Sequence, residues 1–174
     1  QTDVILNEVK NLLPYILSAL CLLSCIKDKQ TGADLAIGDP IPDFNVTMND
    51  GTVVTGEDLR QGISCIVFFT TECPDCMKTL PHVQKIYDEY LAKGVKFALI
   101  SRAEGEERLS RYWASEGLTM PYSAQQDRKI YELFAQAGVP RVYLCKDGII
   151  KNIFTDQLEN PTYGFIKEAL ERLF

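Results

Sequence analysis

Phe68-Phe69-Thr70-Thr71-Glu72-Cys73-Pro74-Asp75-Cys76 marks an abrupt change of pattern along the chain. Leading into it, Ile66-Val67-Phe68-Phe69 is an unbroken apolar run, as in a strand buried on both faces. Beyond it, Met77, Leu80, Val83, Ile86, Tyr87 and Tyr90 recur at steps of three and four, which predicts a helix. Cys73 and Cys76 therefore fall where a buried strand gives way to a helix N-terminus. The unpaired N–H groups and partial positive charge there stabilise a thiolate, the form of cysteine that attacks a disulfide. Cys73 is expected to be the exposed member, with Cys76 one turn in and within reach for an internal disulfide. Placement alone points to redox chemistry.

Working outward, the pattern predicts further elements in order. Ile37 to Phe44 holds Pro40 and Pro42 and cannot be helical. Phe44 to Met48 and Thr52 to Val54 flank the turn signal Asn49-Asp50-Gly51 and predict a short hairpin. Thr55 is a candidate N-cap for a helical turn from Gly56 to Arg60. After the redox helix, which contains Pro81 and closes at Gly94, Val95 to Ile100 is a second apolar strand. A helix with Leu109, Tyr112 and Trp113 on one side follows, closed by Gly117. A further helix is predicted over residues 127–137, with Ile130, Leu133 and Phe134 inward. Arg141 to Cys145 and Ile149 to Phe154 flank Lys146-Asp147-Gly148 and predict an antiparallel hairpin. Residues 161–174 form a last amphipathic helix. Strand–helix–strand–helix, then hairpin and helix, predicts an α/β sheet that is parallel in its first half, antiparallel in its second and covered on both faces.

Composition narrows the function. A chain of 174 residues suits one well-buried domain. Its net charge of −6 and the lack of any basic cluster argue against a nucleic-acid partner. His82 is the single histidine, which argues against a histidine-based zinc site or a Ser/His triad; packing or surface is its expected place. Only one C-x-x-C is present among six cysteines, so no metal site is expected. Cys65 and Cys145 lie in apolar strands and read as small packed hydrophobes, with a cross-strand pair left open.

The first residues read as an address. Leu12 to Leu23 is nearly all apolar, of the length of a signal-peptide core, and ends in Leu22-Leu23-Ser24-Cys25. That ending resembles the lipobox of bacterial lipoproteins, in which the cysteine is lipidated and becomes residue one. Residues 1–24 are thus expected to be a signal peptide, Cys25 the lipid anchor and residues 25–36 a polar tether. Asp3 and Glu8 stand where such a segment is normally basic, so residues 1–8 read as an extension upstream of a start at Val9.

The element order, with C-x-x-C at the first strand-to-helix junction, resembles the thioredoxin fold, and more narrowly the TlpA/ResA-type thiol-disulfide oxidoreductases within the AhpC/TSA-like group. Residues 37–174 carry the resemblance: Ile37-Gly38-x-x-Ile41-Pro42-Asp43-Phe44, Phe69-x-x-x-Cys73-x-x-Cys76, Pro81, and Gly138-Val139-Pro140-Arg141-Val142-Tyr143-Leu144 with Lys146-Asp147-Gly148. It implies a three-layer sandwich with a mixed central sheet flanked by helices. It also implies Cys73 as nucleophile, Cys76 as resolving cysteine, and Pro140 as a cis-proline beside them. A cis-proline there would leave the backbone of Val139 free to pair with substrate. No cofactor is expected beyond the redox-active Cys73–Cys76 disulfide. Protein or small-molecule thiols and disulfides are the implied partners, together with an upstream electron donor or acceptor. The implied location is the bacterial cell envelope, lipid-anchored and facing the periplasm.

Three positions depart from the pattern. Glu72 stands where a tryptophan usually precedes the first cysteine. Val67 occupies the place of the buried acid of thioredoxins, and Arg141 that of the threonine after the cis-proline. Glu72, Asp75 and Arg141 are therefore candidate modulators of the Cys73 pKa, the acids raising it and the arginine lowering it. Two other functions remain open. Thr70-x-x-Cys73 matches half of the peroxiredoxin motif, although Ile66 replaces its proline, which leaves a thiol peroxidase as an alternative. A non-enzymatic binding lipoprotein with a merely structural disulfide is the other.

Overall fold

The computed structural model describes residues 33–156 and 161–174. The expected signal peptide, Cys25 and most of the tether lie outside the described residues. The tether ends earlier than its polarity suggests. Leu35 is buried and its N–H donates to the carbonyl of Phe134 at 2.8 Å. Asp34 accepts from the N–H of Gln136 at 2.8 Å and pairs with Arg141. One apolar side chain and one placed carboxylate are enough to bring the chain into the folded body two to three residues before Ile37, itself exposed.

β1 (Asn45–Thr47) and β2 (Val53–Thr55) form the expected hairpin as a separate two-stranded sheet. Thr55 then caps α1 (Gly56–Leu59). Its hydroxyl accepts from the Asp58 N–H, and the Asp58 carboxylate accepts from the Thr55 N–H, a reciprocal capping box.

The central sheet comprises β3 (Ile63–Phe69), β4 (Lys96–Ser101), β5 (Arg141–Lys146) and β6 (Ile149–Thr155) in the order β4-β3-β5-β6. β3 runs parallel to β4, while β3–β5 and β5–β6 are antiparallel. All seven residues of β3 are buried, the physical reason for its uninterrupted apolar character. Cys65 stands opposite Leu144, and Cys145 opposite Ser64. Adjacent residues on a strand point to opposite faces, so the two cysteines lie on different sides of the sheet and do not pair. Burial raises both thiol pKa values, that of Cys145 to about 12.

α2 (Pro74–Tyr90) runs through Pro81 without a break and passes into a 3₁₀ turn that ends at Gly94, whose φ of 87° is the left-handed cap expected of that glycine. Cys76, Leu80, Val83, Ile86 and Tyr90 are its buried stripe. Met77 shares the helical period but is exposed, because Cys76 takes the inner position of that turn. His82 is half-buried on the same helix, its Nδ1 without a hydrogen-bond partner among the described residues. α3 (Glu106–Glu116) ends at Gly117 with φ 65°.

The helix expected over residues 127–137 is only the single turn α4 (Lys129–Glu132). Tertiary contacts override its periodicity. Tyr131 and Phe134 turn into a cluster with Phe68 and Tyr143, and the Tyr131 hydroxyl donates to the carbonyl of Gly138 at 2.7 Å. α5 (Tyr163–Glu171) closes the chain, with Ile166, Ala169 and Leu170 inward. Its Tyr163 hydroxyl and Lys167 ammonium both donate to Glu89 of α2, at 2.6 and 2.8 Å.

Candidate active site

Cys73 is the N-cap residue of α2, with Pro74 at the first helical position, where a missing N–H costs nothing. The Met77 N–H bonds to the Cys73 carbonyl, which makes Cys73 part of the first helical turn. Its side chain is half-exposed, and its Sγ donates to the carbonyl of Val139 at 3.3 Å. Cys76 is fully buried. Burial pushes its thiol pKa far above the ordinary value; a backbone hydrogen bond from Thr70 and the charge of Arg102 pull the other way, and Cys73 adds to the rise.

The peptide bond between Val139 and Pro140 is cis, the isomer implied by the resemblance. Gly138, with φ 83°, supplies the positive dihedral that the turn before it needs. The carbonyls of this turn are held from behind. Tyr131 donates to Gly138, and Arg141 donates to Ala137 (2.6 Å) and Gly138 (3.2 Å). Arg141 also pairs with Asp34 at 2.5 Å. Its charge is thus met by a carboxylate and two carbonyls, so Arg141 braces the turn that faces Cys73 rather than facing the sulfurs. The carbonyl of Val139 meets the Cys73 thiol, so in this state it is engaged with that sulfur.

The acids beside the cysteines are also countered. Glu72 pairs with Arg108 at 2.5 Å, and Asp75 with Lys78 at 3.0 Å. Both acids therefore meet Cys73 as halves of surface ion pairs, which weakens the field that two bare carboxylates would exert.

Two residues missed by sequence reasoning complete the site. Glu104, only 6% exposed in its side chain, accepts from the Thr70 hydroxyl (3.1 Å), the Thr71 N–H (2.7 Å) and the Thr71 hydroxyl, and pairs with Arg108 at 2.9 Å. It holds the Thr70-Thr71 link between β3 and the cysteines. Thr70, half of the peroxiredoxin-like spacing, gives its hydroxyl to this acid. Arg102, half-buried just past β4, joins Thr70, Glu72, Cys73, Gly138 and Val139 around an open cleft of about 290 Å³. The signal for both was indirect. Because β3 and β4 are parallel, their C-terminal ends share one edge, and sites in such sheets gather beyond those ends.

A thiol at a strand-to-helix junction, a buried partner thiol one turn on and a cis-proline turn against the sulfur define a thioredoxin-like protein with a C-x-x-C centre. The chain belongs to the AhpC/TSA family, whose pattern matches residues 37–153. Among its curated relatives, the thiol-disulfide oxidoreductase ResA of Bacillus anthracis is 26% identical over 136 residues, 77% of this chain and 79% of that protein. ResA of Geobacillus thermodenitrificans is 24% identical over 140 residues, covering 80% and 79% of the two chains. A candidate protein disulfide isomerase from Bacteroides thetaiotaomicron superposes with a TM-score of 0.73 at 26% identity, covering 83% of this chain and 94% of that one. StoA from Bacillus subtilis shares the fold, with a TM-score of 0.64 at 20% identity over 75% of this chain and 97% of that chain.

Proposed function

We propose that this chain is a thiol-disulfide oxidoreductase that works as a reductase through Cys73 and Cys76. The observation that carries this reading is the pairing of a half-exposed Cys73 at a helix N-cap with a buried Cys76 beneath it. ResA relatives, named for this activity, support it. The Cys73 thiolate attacks one sulfur of a substrate disulfide, forms a mixed disulfide and expels the other substrate sulfur as a thiolate that takes a proton. Cys76 then loses its proton and attacks Cys73, which releases the second substrate thiol and leaves the Cys73–Cys76 disulfide. Two electrons pass from the pair to the substrate, and a dithiol donor returns them. No other cofactor enters the scheme. Pro140 and Val139 would present backbone to the substrate once Cys73 has left the Val139 carbonyl.

A place outside the cytoplasm, with a lipid on Cys25, completes the proposal. It rests on the Leu22-Leu23-Ser24-Cys25 pattern. Among the described residues no helix is long and apolar enough to cross a membrane.

Equilibration of the protein against a series of glutathione redox buffers tests the activity. The expected result is a two-electron transition that Cys73→Ser and Cys76→Ser both remove. A pair that never exchanges with glutathione or dithiothreitol overturns the reading. Hydrogen peroxide consumption that survives in Cys76→Ser would replace it with a peroxidase.

The buried thiol adds a pH dependence. With its pKa raised, Cys76 is almost wholly protonated at neutral pH, and its thiolate fraction grows about tenfold per pH unit as the pH rises. Resolution of the mixed disulfide is therefore expected to accelerate steadily from about pH 6 to about pH 9, as followed by acid quench and mass spectrometry. A plateau near neutrality would show that Cys76 is not the group that limits this step.

A further inference from the structure

Arg102 differs from the other arginines of the described residues. Arg60, Arg108, Arg111, Arg128, Arg141 and Arg172 each meet a carboxylate within 4.0 Å. Among the described residues Arg102 meets none, although it is half-buried, Glu72 lines the same cleft and Glu104 lies two residues on. Arg108 accounts for that. It takes Glu72 at 2.5 Å and Glu104 at 2.9 Å, so both carboxylates that border the Thr70–Cys73 segment are satisfied from one side. The backbone of Arg102 is fixed by its N–H to the carbonyl of Phe69 at 2.8 Å. Its guanidinium lies 6.0 Å from the centroid of the Tyr131 ring, a loose aromatic contact that satisfies none of its N–H donors.

A guanidinium that gives up part of its hydration without gaining a carboxylate is costly to keep, and its planar fork of donors matches a carboxylate in a way few other groups do. Arg102 lines the same cleft as Cys73, Gly138 and Val139, and its charge is felt at the Cys76 thiol. The chain as a whole carries −6, so a cation held open at this point works against the overall charge that an anionic substrate would meet.

The geometry points to Arg102 as a substrate-recognition residue that selects disulfides bearing a carboxylate close to the sulfur. The inference rests on the oxidoreductase reading and adds to it the class of disulfide reduced. The substrate carboxylate takes the ion-pair position that Glu72 and Glu104 leave vacant, which aims the neighbouring S–S bond at Cys73. The exchange itself is unchanged: the Cys73–substrate bond forms, the substrate S–S bond breaks, and the expelled thiolate takes a proton.

Three small disulfides of similar length separate this role from a general one. They are 3,3′-dithiodipropionate (a dianion), bis(2-hydroxyethyl) disulfide (neutral) and cystamine (a dication). The reduced full chain is mixed with each in single turnover at low salt. The expected order of rates is dianion, neutral, dication. Arg102→Ala is expected to lower the dianion-to-neutral ratio about tenfold, the scale of one charge-assisted hydrogen bond at a half-exposed site, and Arg102→Lys to restore part of it. Added salt should lower the ratio in the wild type and not in Arg102→Ala. If the ratio survives Arg102→Ala, or if all three rates fall by the same factor, the proposal is overturned while the oxidoreductase reading stands. A wild-type protein inert toward all three overturns that reading, and this one with it.

Discussion

Cys73→Ser is expected to abolish disulfide exchange, with a loss on the order of a thousandfold or more, while the fold is kept. The loss follows from chemistry: a serine hydroxyl is scarcely ionised near neutral pH, and the buried Cys76 is too strongly protonated to replace it. The fold should tolerate the change. Cys73 is half-exposed, its thiol donates to the Val139 carbonyl, and a serine hydroxyl can donate to the same oxygen. Serine is also a good N-cap residue, so α2 should not fray. Cys76→Ser should behave differently. It leaves the nucleophile in place and removes the group that resolves it, so one half of the substrate disulfide should accumulate on Cys73 as a stable adduct. Intact-protein mass spectrometry after mixing with excess disulfide distinguishes the cases. The expected result is an adduct on Cys76→Ser and none on Cys73→Ser. An adduct that forms on Cys76 in the Cys73→Ser protein would reverse the assigned roles.

Glu104→Ala is expected to be the most damaging change outside the cysteines. Its carboxylate accepts from Thr70 and Thr71 and pairs with Arg108, all while nearly excluded from water. Alanine would leave the Thr71 N–H and the threonine hydroxyls without acceptors, each at a cost of roughly 1 kcal/mol or more. The Arg108 contribution is discounted, because that side chain is 52% exposed and water screens it. The expected loss of stability is about 2–4 kcal/mol. Exchange should slow about tenfold in addition, because the segment that positions Cys73 loses its brace. Glu104→Gln keeps an acceptor oxygen in place and should cost about 1–2 kcal/mol. Guanidinium denaturation and single-turnover rates on the two variants read both effects. A Glu104→Ala protein as stable and as fast as the wild type would show that the Thr70-Thr71 link is held by the sheet alone.

Much of the fold could be read locally. The apolar run of β3, the period of α2 and the turn residues at 49–51 and 146–148 each encode an element through forces acting within a few residues. Thr55 and Asp58 encode a helix start three residues apart, and both hydrogen bonds of the cap are present. Where local pattern and tertiary packing conflict, packing prevails. Residues 127–137 have helical spacing, but burying Tyr131 and Phe134 against Phe68 and anchoring the Gly138 carbonyl leave only one turn of helix. Met77 likewise fits the helical period but is exposed, because Cys76 occupies the inward position.

The candidate site divides along the same line. The sequence by itself determined where Cys73, Cys76 one turn on and the proline turn that meets Cys73 fall. Their spacing and flanking patterns are local, and the element order carries the rest. Only the tertiary structure decided their electrical surroundings. Arg141, beside Pro140 in sequence, is drawn to Asp34, over a hundred residues away, and to the carbonyls of its own turn. Glu104 and Arg102, some thirty residues past the cysteines, reach the site because β3 and β4 run parallel and end at one edge. Charge pairing depends on which groups share a few ångströms of low-dielectric space, and that proximity is created by strand order and register rather than by neighbours in the chain. Local pattern thus places the two sulfurs at the helix start, and the fold determines which charges they face.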